Sequence, residues 1–478
     1  MAGILDGVGD LFKYKEPVKT KKDFELLEDE SEHNENIGMN TSKEQDQKST
    51  SKLSSELSEN LAVIKKRFHM SQNKDITTRE FVIGREVKAF MVYVDGMMDK
   101  KILNLSIFPQ LMAKDILDEL EEDYDSVVDY LIKNVLTVHQ VHKANTYNEI
   151  IKQVLNGKSA LFIEGSSEGI LIETTEFAKR GIEKPITETV VKGSQEGLTE
   201  TLNTNVILIR RIIRNENLVI EMLPIGNENH LIAGVFYLDG VVNPKVVEEV
   251  KKRINSIEAD YMAGSGMLEQ YLEAYPIRLF PQVITTERPD RIAYAIMEGH
   301  VAIITEGTPF AIIVPITFFE LLQTLEDSSL RFPLSNFIRL LRLFGLFVST
   351  LLPALYVALI LFHVEMIPTQ LLLSVAKARE NVPFPTFIEV LIMEVSFELI
   401  REGGVRVPSV IGQTLGVVGA LILGQTAVAA GLVSPMLVIV VSITAIGNFT
   451  IPNYSLALSV RYERFLFILA GAFLGFYG

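Results

Sequence analysis

From Leu61 onward the chain alternates short apolar runs with amphipathic stretches, and after Arg331 it changes to long apolar runs interrupted by few charges. The first pattern predicts α/β units rather than a helical bundle, because the short runs are rich in β-branched and aromatic residues and close on Gly and Asn turns. The sequence also repeats itself there. Val92–Asp99 reads VYVDGMMD and Phe236–Asn243 reads FYLDGVVN, which places Asp95-Gly96 and Asp239-Gly240 144 residues apart. Ala160–Ile172, ALFIEGSSEGILI, resembles Ala302–Val314, AIITEGTPFAIIV, with Glu164-Gly165 and Glu306-Gly307 142 residues apart. Two similarities in the same order at nearly the same offset predict a duplicated subdomain, and the second element of each copy reads as a strand, a Gly turn and a second strand. The expected fold is an α/β soluble region made of two similar subdomains, followed by an all-α multi-helix membrane domain. Its expected parts are a disordered polar tail over 1–58, an α/β subdomain over 59–184, a connecting segment over 185–229, a second α/β subdomain over 230–330 and a transmembrane domain over 331–478. The tail is assigned on composition, since Lys, Glu, Asp, Ser, Asn and Gln with few apolar residues cannot offset the entropy of ordering.

In the last part, Leu343–Phe362 is twenty residues without a charge, enough to cross a hydrocarbon core of about 30 Å at about 1.5 Å per residue. Pro353 inside it is expected to kink the helix or to free a carbonyl for a neighbour. Ile367–Val375 is too short to span and reads as re-entrant or interfacial. Ser409–Val433 reads as a span whose Gly412 and Gly416 suit close helix packing, Met436–Ile446 as a broken helix, and Phe465 as the start of a last span with Gly471 and Gly475 at the same spacing. That last span stops at Gly478 and is expected to be incomplete.

Phe384–Ile400 is a membrane-length helix with carboxylates in it. At about 100° per residue, Glu394, Glu398 and Arg401 share a face and Glu389 lies roughly opposite. A charge at the bilayer centre costs at least about 2.5 to 3.5 kcal/mol on the insertion scale, so these groups must face protein or water. An Arg401 to Glu398 structural pair and an ion path are the two readings. Ser349 and Thr350 of the first span, with hydroxyls beside Leu351, Leu352 and Leu355, are the competing pore candidates.

Charge sharpens the division. Of 45 Lys and Arg and 60 Asp and Glu, only 9 and 7 fall in residues 331–478, so the acidic excess belongs to the first part. That excess argues against a nucleic-acid partner, which needs clustered basic residues. The absence of Cys excludes disulfides, thiol catalysis and Cys-based zinc sites. The start, MAGILDGVGDLF, lacks the basic flank and long apolar core of a secretory signal. Arg339 and Arg342 before the first span place the N-terminal part in the cytoplasm by the positive-inside rule.

Candidate chemistry is sparse. Gly165 to Gly169 form a G-x-S-x-G around Ser167, but a nucleophile elbow needs strand, turn, then helix, and Ile170, Leu171 and Ile172 continue as a strand. His139 and His142 form an H-x-x-H with no third group at a ligand-like spacing, and read as ordinary histidines. No catalytic, metal or cofactor site emerges, and the chain reads as non-enzymatic. Between the copies, Gly193 and Gly197 mark a turn before a helix carrying Arg210, Arg211 and Arg214. Spacing alone favours a solvated face over a partner contact for these arginines. Arg210 and Arg211, with Glu287, Arg288 and Asp290 of the TERPDR run, are the candidate inter-subdomain contacts, and the TERPDR run reads as a structural clamp.

The runs ETVVKGSQEGLTETLNTNVILIRR, PQVITTERPDR, EGTPFAIIVP, ARENVPFP, MEVSFELIREGG and GQTLGVVGALILGQTAV resemble the signature blocks of the spore germinant receptor A-subunit family. The resemblance covers about residues 60–478. It implies a spore-forming bacterium, a two-part N-terminal region on the cytoplasmic, spore-core side and a multi-helix domain in the spore inner membrane. It further implies a transporter-like B subunit, thought to bind nutrient, and a lipoprotein C subunit as partners, and for some members a ring of A subunits forming a nutrient-gated cation channel. Within such a ring Glu394 and Glu398 become pore candidates. The A-like protein of the spore dipicolinate-channel operon shares the same blocks and is the alternative, with a transporter component as a further class. A transporter implies inverted repeats within the membrane part, whereas the repeat found here lies in the soluble part.

Overall fold

The same five strands are laid down twice. β1 (Ile76–Ile83), β2 (Val87–Val94), β3 (Val141–Ala144), β4 (Ser159–Ile163) and β5 (Gly169–Ile172) form one sheet in the order β1-β2-β4-β5-β3. β6 (Leu218–Ile225), β7 (Leu231–Leu238), β8 (Ile284–Thr286), β9 (Val301–Thr305) and β10 (Ala311–Val314) form another in the order β6-β7-β9-β10-β8. All pairs are antiparallel, the two orders are identical, and Asp95-Gly96 and Asp239-Gly240 each follow the second strand of their sheet. In this computed structural model, residues 52–117, 126–176, 185, 188, 190, 192–273, 278–406 and 424–478 are described. They divide into an α/β unit, residues up to 276 with 283–316, and a helical unit containing 277–282 and 317–478.

Each copy begins with a helix, α1 (Leu57–Arg67) in the first and, after α2 (Ile102–Leu111) and α3 (Tyr147–Val154), α4 (Leu202–Ile212) in the second. An asparagine side chain fixes the entry to both. Asn60 accepts from the Ser54 N–H at 3.0 Å and donates to the Ser54 carbonyl at 2.7 Å, and Asn205 does the same to Thr199 at 2.8 and 2.7 Å. Both amides are buried with donor and acceptor satisfied, so they do not incur the penalty of an unpaired polar group. The hairpin turns then close onto the helix entries, Gly165 N–H to Ser55 O at 2.9 Å and Gly307 N–H to Glu200 O at 2.7 Å. These glycines have φ of 79° and 82°, the left-handed region that a side chain disfavours. Ser167 therefore sits in a strand-turn-strand hairpin.

Two expected boundaries move. The tail expected to reach 58 ends earlier, because Lys52 is bridged to Thr146 and Leu53 is buried in the first core. The segment 185–229 contains α4 and β6, so the second copy starts well before 230. At the first boundary the apolar residues are few and diluted by Ser and Glu, which makes the composition look polar.

Burial on both faces explains the continuous apolar stretch of β2. Phe90 and Val92 point into the core beneath α1 and α3, where the Phe90 and Phe162 rings stack at 4.5 Å, while Ala89 and Met91 face a second core with Leu103 and Ile107 of α2. In the second copy Val235 and Tyr237 pack with Val247 and Val250 of α5 (Pro244–Asn255), and α6 (Ser265–Leu272) and α7 (Pro289–Met297) complete the layer set. Each such buried aliphatic or aromatic side chain contributes about 1.5 to 3 kcal/mol.

The helical unit contains α8 (Phe332–Phe362), α9 (Thr369–Arg379), α10 (Thr386–Arg406), α11 (Pro435–Phe449) and α12 (Tyr454–Leu474). Among the described residues α8 is the one helix long and apolar enough to cross a membrane. Two expectations change here. The run at 367–375 lies in a helix over Thr369–Arg379, still too short to span, whereas the helix expected to be broken near 436–446 is continuous for 15 residues, started by the Ser434 side chain and Pro435. The last helix begins at Tyr454 rather than Phe465, because the Asn453 side chain caps it by accepting from the Leu456 N–H at 2.9 Å. Most of the span expected at 409–433, with Gly412 and Gly416, lies outside the described residues.

Glycines set the closest approaches of this unit. A Cβ added to Gly447 would stand 2.8 Å from the Gly345 carbonyl, and one added to Gly471 2.8 Å from the Ala354 carbonyl, so α8 meets α11 and α12 at backbone distance. Gly475 ends α12 with a φ of 61° beside His363. Gly447→Val is expected to cost about 1 to 3 kcal/mol by overpacking. Thermal unfolding of the detergent-solubilised chain should show a lowered Tm; an unchanged Tm would contradict this crossing.

Candidate functional site

Proline at 353 has no N–H, which leaves the carbonyl four residues back, that of Ser349, without its helical donor. Arg464 of α12 supplies one: its Nε donates to Ser349 O at 2.8 Å. The same guanidinium donates through Nη1 to Glu394 Oε2 of α10 at 2.6 Å. Both side chains are out of water, Arg464 at 3% and Glu394 at 1% exposure. One turn along, Arg461 Nη1 lies 3.1 Å from Glu398 Oε2, and Arg401 Nη1 lies 3.6 Å from Glu398 Oε1 while its guanidinium stands over the Phe449 ring. Glutamates four apart on α10 thus meet arginines three apart on α12, which is the spacing that keeps two helices in register.

The remaining membrane-region candidates are also engaged. Glu389 is fully buried; it accepts from Arg379 Nη2 at 2.9 Å and from the Ser434 N–H at 3.2 Å, where α11 starts. The Ser349 and Thr350 hydroxyls donate to the Leu346 carbonyl at 2.9 and 2.8 Å. Glu398 keeps 30% of its side chain exposed, so of the carboxylates at 389, 394 and 398 it is the one in reach of water. Arg342, at the head of α8, donates to Asp327 Oδ2 at 2.6 Å, to Leu322 O at 3.2 Å and to Thr324 Oγ1 at 3.1 Å.

Sequence reasoning missed Arg461 and Arg464, because starting the last helix at Phe465 put both outside it. The available signal was an R-x-x-R one turn before an apolar run, complementary to the E-x-x-x-E of α10. It also placed Arg210 on a solvated face, whereas the side chain is fully buried.

Arg210 joins the two copies. Its Nε and Nη2 donate to Asp75 Oδ2 and Oδ1 at 2.9 and 3.1 Å in a two-point fork, and Nη1 donates to the Leu218 carbonyl at 3.1 Å. Asn73 donates to the same carbonyl at 3.2 Å and accepts from the Ile220 N–H at 2.6 Å, and Arg67 bonds both oxygens of Glu216 at 2.8 Å. The other candidates hold the approach to α4 instead. Arg211 pairs with Glu196, Arg288 with Asp290 at 2.6 Å and with the Glu188 and Ser194 carbonyls at 3.2 Å, and the Glu287 carbonyl accepts from the Leu198 N–H at 2.7 Å. Arg210→Met should therefore destabilise the chain by about 3 to 5 kcal/mol by stranding the Asp75 carboxylate, and adding Asp75→Leu should recover most of that loss. Thermal unfolding of the single and double variants checks it; a single variant close to wild type would contradict the assignment.

The chain matches the family described as Bacillus/Clostridium GerA spore germination protein over residues 62–478. It is 41% identical over 406 residues to the uncharacterized membrane protein YfkQ of Bacillus subtilis (strain 168), an alignment covering 84% of this chain and 78% of the relative. It is 38% identical over 428 residues to spore germination protein KA of the same organism, covering 89% and 77%. Among solved structures, the N-terminal domain of the A subunit of the Bacillus megaterium spore germinant receptor GerK3 is similar at 29% identity and a TM-score of 0.45, over 56% of this chain and 98% of that one. With a match running from the first helix of the α/β unit to the end of α12, and relatives above 30% identity over most of both lengths, the chain belongs to the GerA family of spore germination proteins.

Proposed function

We propose that this protein is the A subunit of a nutrient germinant receptor, a non-enzymatic signal-transducing component of the spore inner membrane whose α/β unit lies on the spore-core side. The observation that carries the reading is the family match across residues 62–478, which includes the soluble and the helical unit alike. On this reading it works with a transporter-like B subunit and a lipoprotein C subunit. Several copies assemble into a cation-conducting path that opens when nutrient is sensed.

Three features support the conducting role. α8 has the length and apolarity to cross a bilayer, α10 packs its acidic groups in the same helical unit, and Glu398 keeps 30% of its side chain exposed. Repeated around an axis, one Glu398 from each copy would raise the local cation concentration, with Arg461 and Arg401 weakening its field. Nutrient opens the path only in so far as the partner bound to it binds the open state better than the closed one.

In a spore-forming host where this chain and its partner subunits are the sole receptor proteins, a panel of nutrients should trigger monovalent cation release. Glu398→Gln should lower release or change its selectivity several-fold at an unaltered protein level. Nutrient-triggered release that persists when the chain is deleted would contradict the proposal. So would a deletion that abolishes dipicolinate release and leaves the nutrient response intact, which would assign the chain to the dipicolinate-channel branch.

A further inference from the structure

α8 runs unbroken from Phe332 to Phe362 through Pro353, and the group that takes up the carbonyl the proline leaves without a donor belongs to another helix. Pro353 frees the Ser349 carbonyl, the carbonyl is buried, and Arg464 Nε reaches it at 2.8 Å. Kinks at proline are fixed by whatever satisfies the freed carbonyl, and in apolar surroundings that is a neighbouring side chain or nothing. Arg464 cannot serve that carbonyl alone, because its charge is held by Glu394 at 2.6 Å and both side chains are buried. Gly471, two turns further along α12, sits against the Ala354 carbonyl just past Pro353, so α12 meets the end segment of α8 at backbone distance. Glu394 Oε1 and Arg464 Nη2 have no hydrogen-bond partner among the described residues, so the pair is not clamped at all of its atoms.

We infer that Arg464 is a latch coupling α8 at its Pro353 position to the position of α10. While its guanidinium bridges the Ser349 carbonyl and Glu394, the two halves of α8 and the charged face of α10 move as one body. When Arg464 leaves the carbonyl, the far half of α8 is freed to change its angle while Arg464 remains paired with Glu394. Arg464 acts here as a positioning residue, through helices rather than through a ligand, and the inference stands independently of whether the assembly conducts ions.

The chain has no Cys, so two introduced cysteines label without a background. Leu361 of α8 and Leu399 of α10 are exposed at 39% and 68% and suit spin labels in the full chain reconstituted in lipid nanodiscs. Wild type should give one narrow distance distribution. Arg464→Gln should broaden it at least about twofold, since the carbonyl freed by Pro353 is no longer held from outside the helix. Adding Pro353→Ala should narrow it again, because an alanine at that position restores the N–H that Ser349 O lacks. If Arg464→Gln does not fold, Arg464→Lys takes its place, since a single ammonium keeps the Glu394 charge compensated without the fork that spans both partners. A distribution as narrow as wild type in the Arg464 variant overturns the latch. Broadening that Pro353→Ala leaves untouched also overturns it, because Arg464 would then act through Glu394 alone.

Discussion

Arg210 and Arg464 each carry a guanidinium out of water, and neither can stay there without the carboxylate that faces it. The effective penalty for burying an ion is several kcal/mol, and attraction to a partner offsets it only when the geometry is good and the remaining hydrogen-bond capacity is used. Arg210 meets this with a two-point fork on Asp75 and a third bond to the Leu218 carbonyl. Arg464 meets it in part, with Glu394 and the Ser349 carbonyl, while its Nη2 has no hydrogen-bond partner among the described residues. In both cases the partner lies on another element far along the chain, so satisfying one charge fixes the relation of separate parts. In the α/β unit those parts are the two copies; in the helical unit they are α8, α10 and α12.

The same constraint separates what was legible in the sequence from what was not. Asp-Gly and Glu-Gly pairs at nearly equal offsets exposed the duplication, because a turn after a strand demands particular residues and leaves a local trace. The first helix and strand of each copy left a fainter trace: Leu57 and Asn60 in one, Leu202 and Asn205 in the other, the asparagine clamping the residue six before it. Burial of Arg210 was invisible, since nothing within a helical turn of it compensates the charge. For α12 the apolar window failed for the same reason. Arg461 and Arg464 look unfit for a lipid-facing helix until Glu398 and Glu394, some sixty to seventy residues earlier, are set beside them. The carbonyl freed by Pro353 was predictable from proline chemistry, whereas the residue that takes it was not.

In the proposed receptor these pairings bear on how a signal travels. Glu394 and Glu389 are engaged inside the chain's own bundle, so a path through it has to use the more exposed Glu398 or a rearrangement of the paired groups. α8 is anchored through Arg342 on Asp327, crossed at Gly345 by α11, runs unbroken through Pro353 and packs beyond it on α12. In the proposed latch, a helix held at Arg342 and lacking a backbone donor at Pro353 moves mostly in the segment after the proline, which is where α12 meets it at backbone distance.

An experimental structure of the complete receptor in a lipid nanodisc tests this account most directly. Several A chains are expected around a common axis, with Glu398 facing an aqueous path and Arg464 bridging the Ser349 carbonyl and Glu394 within each chain. A receptor with a single A chain, or with Glu398 turned to lipid and Arg464 remote from Ser349, would contradict it.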